Sequence, residues 1–239
     1  MLRDNFKKEN PGERVYEDRV LEKIAQGAKC AEIGVFNGAF SRKIFSKNPS
    51  EIHLVDPWVQ QTDQHDQHAK DSQEEQDARF QKVKNWADEM SSDETKISVY
   101  RDFSENAAKN FSNNYFDWIY IDGDHRYEAV KIDLESWWPK LKPGGWITGD
   151  DYTQKSDWGA VEAVNQFAMS IGLTPPHENT LIAWKTGNTK LIGLSEMLNP
   201  GNGQALSPHY RVWCDTRSLD MMILGTQFFI RKRGEFNEG

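Results

Sequence analysis

Cysteine is scarce in this chain of 239 residues: Cys30 and Cys214 are the only two. Cys30 falls in an apolar stretch, where a thiol behaves as a small buried hydrophobe, and a reducing, cytoplasmic setting is expected. No apolar run approaches the roughly 20 residues needed to cross a bilayer. Residues 1–14 are rich in charged side chains and do not read as a secretory leader. Positive charge is also in short supply. With 29 Lys and Arg against 37 Asp and Glu, the net charge is −8 and the pI near 5.3. That balance argues against nucleic acid or an anionic membrane surface as a partner. Internal repeats and low-complexity blocks are missing too, so the expectation is a single domain over residues 1–239. Tryptophan, by contrast, is plentiful. Nine of them in a chain of mean hydropathy −0.77 suggest a packed core with some aromatics lining a pocket.

The apolar spacing predicts a helix over residues 14–27, with Tyr16, Val20 and Ile24 on one face. Strands are expected at Lys29–Ile33, Glu51–Val55, Ile97–Tyr100, Trp118–Ile121 and Trp146–Thr148, with helical spacing between them. Strands alternating with helices predict an α/β, Rossmann-like, seven-stranded and mostly parallel sheet with helices on both faces. Residues 28–186 would form this core, and residues 187–239 a carboxyl-terminal elaboration with a last strand at Gln227–Ile230. Strands at Thr180–Trp184 and Tyr210–Cys214 are weaker readings. Residues 59–76 are packed with Gln, Asp, His and Glu and cannot form a core layer; a lid or a solvated helix is expected there. Arg231-Lys232-Arg233 reads as a solvated strand end.

Two acidic clusters dominate the chemistry. Asp122, Asp124 and His125 follow one predicted strand; Asp150, Asp151 and Tyr152 follow the next. Val130, Leu134, Trp137, Trp138 and Leu141 make the segment between them helical. A right-handed crossover then brings both clusters to the carboxyl edge of the sheet, where open α/β sheets bind ligands.

The first strand runs into Glu32-Ile33-Gly34-Val35-Phe36-Asn37-Gly38. Gly34 allows a sharp turn and Gly38 a close approach at the helix start, as nucleotide-binding turns require. The third glycine of the dinucleotide fingerprint is absent, with Ala39 and Phe40 in its region, which counts against an NAD-dependent oxidoreductase. Asp56, ending the second strand, suits a ribose diol because a carboxylate accepts from both hydroxyls. A tight strand–helix turn without ligand is the plainer alternative.

Together these segments, with Leu141-Lys142-Pro143-Gly144-Gly145 and Gly149-Asp150-Asp151-Tyr152, resemble class I S-adenosyl-L-methionine-dependent methyltransferases over residues 28–185. Among them the small-molecule O-methyltransferases are the most similar, including divalent-metal-dependent sugar methyltransferases and, more distantly, catechol O-methyltransferase. The resemblance implies that Gly34, Phe36 and Gly38 lie along the methionine part of the cofactor and that Glu32 supports the turn and the cofactor's amino group. It implies Asp56 on the ribose, Phe103 and Ser104 framing the adenine, and Asp102 as partner of its exocyclic amine. Asp122, Asp150 and Asp151 would ligate Mg2+, Asp122 also bordering the cofactor, and either His125 or Asp124 would act as base. The partner would be a small hydroxylated acceptor, a sugar or glycosylated metabolite; a homo-oligomer stays open.

That chemistry suits the residues. Methyl transfer from a sulfonium is an in-line displacement in which positioning does much of the work. A neutral hydroxyl needs its proton removed, and a hard cation held by oxygen ligands or an imidazole can assist. The alternatives are a metal-independent methyltransferase, a non-catalytic cofactor-binding module, or acidic residues that merely cap helices and loops.

Overall fold

The structure, a computed structural model, describes residues 17–62, 67–152, 158–175, 182–183, 211–214, 220–224 and 226–234. In chain order these form α1 (Glu17–Leu21), β1 (Lys29–Ile33), α2 (Ala39–Phe45), β2 (Glu51–Asp56), α3 (Gln67–Lys70) and α4 (Gln73–Met90). Next come β3 (Lys96–Arg101), α5 (Ser104–Ala107), β4 (Phe116–Ile121), α6 (Tyr127–Trp137), β5 (Leu141–Gly149) and α7 (Ala160–Ser170). The last strands are β6 (Ile182–Ala183), β7 (Arg211–Cys214), β8 (Met221–Leu224) and β9 (Gln227–Arg231).

One sheet holds all nine strands in the order β3-β2-β1-β4-β5-β9-β8-β7-β6. The first five are parallel and the remainder pair antiparallel. The expected Rossmann-like α/β architecture is therefore present. Its strand count exceeds the predicted seven because the carboxyl-terminal segments continue the sheet as a meander. Met221–Leu224 was not anticipated as a strand.

Strands buried on both faces explain the continuous apolar runs of β1, β2 and β4. Trp118 and Tyr120 pack with Val20, Ile44 and Val83 on one face. Ile119 and Ile121 pack with Leu134, Trp137 and Val164 on the other. Helices thus cover both faces of the parallel half.

The basic triplet is solvated in part: Arg231 and Arg233 are exposed as expected, whereas Lys232 is half-buried. Lys232 Nζ donates to Asn114 Oδ1 and to the carbonyls of Trp138 and Leu141, and Arg233 Nε donates to Asp220 at 2.7 Å. The ammonium thus bridges the turn between α6 and β5, where the Trp138 carbonyl also accepts the Leu141 N–H. Lys232 thereby ties the end of β9 to the parallel half, and Arg233 ties it to the start of β8.

Candidate functional site

Strand register places the key residues in one row. Ile33 is paired with Val55 and with Ile121, Ile121 with Gly149, and Gly149 with Phe228. One residue further along, Asp56, Gly34, Asp122, Asp150 and β9's neighbouring residue Gln227 share a row on one face, because side chains alternate along strands. Backbone bonds carry the pairing into this row, Gly34 N to Val55 O, Asp122 N to Ile33 O and Asp150 N to Ile121 O at 2.9, 2.7 and 3.1 Å. Behind it lies Tyr120, whose phenol is held well above its ordinary range by burial and then by the charges of Asp122 and Asp150.

A cleft of about 320 Å³ opens on this edge, within the size range of small-molecule sites. Gly34, Phe36, Asp56 and Asp122 form one side, and Asp102, Phe103 and Ser104 another. Gly34 sits at φ +86, and a Cβ there would lie 2.1 Å from the Asp122 carbonyl oxygen. No residue with a side chain fits between the tips of β1 and β4. Asp56 Oδ2 accepts the backbone N–H of Val35 and of Phe36, both at 2.9 Å, while Oδ1 accepts that of Trp58 at 2.8 Å. Burial raises its carboxyl above the usual range, although these three amides pull the other way. Trp58, buried, donates its indole N–H to Phe36 O and closes the turn.

Two expected cofactor residues stand off the cleft wall. Glu32 is buried beneath the turn, accepts from the Ser41 hydroxyl at 2.5 Å and is pushed up to about 8 by burial. Gly38 takes a left-handed conformation, φ 74, to start α2. Both serve the turn from behind.

The candidate bases separate. Asp124 lines the cleft and is gripped by Arg126, whose Nε and Nη2 lie 2.7 and 2.6 Å from Oδ2. His125 is buried, its ring tilted 33° against Trp158 with centroids 4.1 Å apart, and its Nδ1 lies 3.9 Å from Asp151. Asp151 adopts φ 62. Asp150 Oδ1 accepts from the Thr226 hydroxyl at 2.5 Å and from Asp151 N–H at 2.8 Å. Among the described residues no three His, Cys, Asp or Glu side chains gather as a group able to hold a metal ion. The Mg2+ expected on Asp122, Asp150 and Asp151 thus gains no support: Asp150 is tied to the β8–β9 turn and Asp151 leans toward His125.

Three features go beyond the sequence reading. Of the expected lid or solvated helix over residues 59–76, the described parts, 59–62 and 67–76, form a strap that lines the cleft. Gln61 N bonds Ala69 O, Gln60 Nε2 bonds Lys70 O and Gln76 Nε2 bonds His68 O, at 2.7, 3.1 and 2.8 Å. The His68 ring rests on Phe36 at 4.6 Å, while His65, Asp63 and Asp66 lie outside the described residues. Next, Arg126 brings positive charge to an acidic wall. Last, Asp133 on α6 lines the cleft though only 6% exposed. It lies three residues after Val130 and one before Leu134, so a carboxylate inside an apolar stripe was the available signal.

A family profile described as a methyltransferase domain matches residues 31–152. A search among curated proteins finds no match. Solved structures share the fold. A Corynebacterium glutamicum protein aligns with TM-score 0.50 and 11% identity, over 95% of this chain and 84% of its own. A candidate rRNA methylase from Clostridium thermocellum gives 0.53 and 15%, over 92% and 94%. The O-methyltransferase NovP gives 0.53 and 13%, over 91% and 78%.

No helix among the described residues is long and apolar enough to cross a membrane.

Proposed function

Because the chain belongs to the methyltransferase-domain family and is an S-adenosyl-L-methionine-dependent methyltransferase, we propose that it methylates a hydroxyl of a small, neutral or cationic acceptor. The observation that carries this reading is the charge of the cleft. Asp56, Asp102, Glu105, Asp122, Asp124 and Asp133 line it, with Arg126 and His68 as basic counterparts. Such a wall attracts a sulfonium and repels phosphorylated or carboxylated acceptors. It also favours the cationic donor over the uncharged thioether product, which assists product release.

The turn Gly34–Phe36, fixed by Asp56, orients the donor, and Gln61, His68 and Gln76 of the strap exclude water. As the methyl carbon bonds to the acceptor oxygen, its bond to sulfur breaks, the electron pair passes to sulfur to give the thioether, and the hydroxyl proton must leave. The position of Asp124 in the cleft supports it as the acceptor of that proton, and Arg126 sets the carboxylate's orientation. His125, one layer behind, acts through Asp151 or as a packing partner of Trp158.

Turnover is measured as S-adenosylhomocysteine release over a panel of polyols, sugars and phenols. Asp124→Asn is expected to lower kcat about 100-fold or more, with affinity for S-adenosylhomocysteine unchanged. Unaltered kcat would remove Asp124 from the mechanism. No turnover on any acceptor by protein that binds the cofactor would favour a binding module.

A second reading, cation assistance, is favoured by the adjacency of Asp122 and Asp150 in the row. Two carboxylates satisfy Mg2+, which keeps waters or substrate oxygens in its shell and, when bound, acidifies a coordinated hydroxyl. Under it, a chelator removes turnover, Mg2+ restores it and cofactor binding persists. Turnover that survives chelation leaves proton removal to the side chains alone.

A further inference from the structure

We propose that Asp133 is a recognition residue for the nucleoside cofactor, its carboxyl group hydrogen-bonding the amino edge of the purine from the α6 wall of the cleft. The inference needs only the cofactor; its failure leaves the acceptor reading untouched.

The surroundings of Asp133 match a flat heterocycle. Phe103 and Ile132 line the same cleft and stay 45% and 42% exposed, although large apolar side chains are normally covered. Facing apolar groups accommodate the π-faces of a ring, and the polar edge then needs a partner in the wall. Asp133 is placed to provide it. It shares the buried side of α6 with Val130, Leu134 and Trp137, where an unpaired carboxylate costs several kcal/mol. Ser104 supplies one hydrogen bond to it. The same hydroxyl accepts the Trp137 indole N–H at 2.8 Å, so its single hydrogen is free to serve the carboxyl. Glu105 from α5 and Asp124 from the loop after β4 add like charge. Burial first, then these neighbours, raise the Asp133 carboxyl to about 7 against the pull of Ser104. A group in this condition gains from a ligand donor.

Asp102, the residue expected to meet the exocyclic amine, has one carboxylate oxygen engaged locally. Its Oδ1 accepts the Phe103 N–H at 2.8 Å and the Asn106 amide at 3.3 Å, which shapes the entry to α5.

The test compares two thioethers that differ at one purine position, S-adenosylhomocysteine and its analogue with hydrogen in place of the 6-amino group, by calorimetry on the full chain. The amine donates to the ionised carboxylate, whereas the 6-hydrogen analogue has nothing to donate there. Wild-type affinity for the amine should therefore rise from about pH 6 to about pH 8, and that for the 6-hydrogen analogue should not. Neither purine titrates in this interval, and other titrating groups affect both ligands alike. The affinity ratio should change about tenfold or more, since sites built around a hydrogen bond reject analogues that break it. Asp133→Asn should make the ratio independent of pH, while Asp102→Asn should leave the wild-type profile intact. A flat wild-type ratio overturns the proposal, even if Asp133→Asn does not fold. So does a pH dependence that disappears in Asp102→Asn.

Discussion

The two walls of the cleft are built from different materials. The wall from β1 and β2 is backbone: three main-chain N–H groups converge on Asp56, and Gly34 presses against the main chain of Asp122. The wall from α5 and α6 is side chain: Asp133 hangs on a hydroxyl, and that hydroxyl on an indole. The first has one geometry, set by the main chain. The second carries a group that changes charge near neutrality. A scaffold that separates shape from charge in this way can tune ligand affinity on one side without disturbing the turn on the other.

Gly34→Ala should produce the largest effect, because it attacks the wall with no slack. A methyl group 2.1 Å from a carbonyl oxygen at φ +86 forces the tips of β1 and β4 apart. Displacements of this kind cost on the order of 100-fold, so affinity for S-adenosylhomocysteine should fall at least about that far. Near-native affinity would show that the two tips move independently.

Asp56→Ala comes next. Three amides lose their acceptor, at about 1–3 kcal/mol for each that stays buried without one. Chemical denaturation should show a loss of about 3 kcal/mol or more, with cofactor binding weakened in step. A smaller loss would mean that water replaces the carboxylate and that the wall is less rigid than its bonds suggest.

The same division decides what could be foreseen from the chain. β1 matches its expected span, Lys29–Ile33, because five consecutive positions alternate between two buried faces and leave one reading. β5 runs from Leu141 to Gly149, longer than Trp146–Thr148, because Pro143-Gly144-Gly145 looks like a turn yet is carried through the sheet by pairing of the Gly144 amide with Lys232 O. Only a partner about 90 residues away reveals that. The acidic tips were legible through the crossover rule, and their row follows from register. Asp133 was legible only as a carboxylate interrupting an apolar stripe, a weak signal because an aspartate in a helix is ordinarily solvent-facing. The strap was half legible: its glutamines show that it builds no core, but not that they bond one another's backbones.

The titrating wall yields a smaller effect of definite sign. The Asp133 carboxyl, near 3.9 in an unfolded chain, is raised to about 7 in the fold. The folded state therefore holds the extra proton between these values. Stability falls as pH rises from about 4 to about 7, then levels off. Asp133→Asn deletes that slope. Its melting temperature relative to wild type should be higher by a few degrees at pH 8 than at pH 5. Glu32, pushed up to about 8, contributes a slope of the same sign in both proteins and cancels in the difference. A difference of opposite sign would place a cation next to Asp133.

The least consequential change should come from where the strap joins the scaffold. Ser72 caps α4 reciprocally: its side chain accepts Glu75 N–H, and the Glu75 carboxylate accepts Ser72 N–H at 2.8 Å. Ser72→Ala should cost about 1 kcal/mol of stability and leave the affinity for S-adenosylhomocysteine within a factor of about two. The strap has its own ties downstream of the cap, from Gln76 to His68 O and from Gln73 to Trp58 O. Gln76→Ala, by contrast, should speed cofactor dissociation in stopped-flow with little loss of stability, because it frees the strap and spares the helix. If Ser72→Ala accelerates dissociation as much as Gln76→Ala does, strap and helix open as one body, and a third, movable element must be added to the two fixed walls.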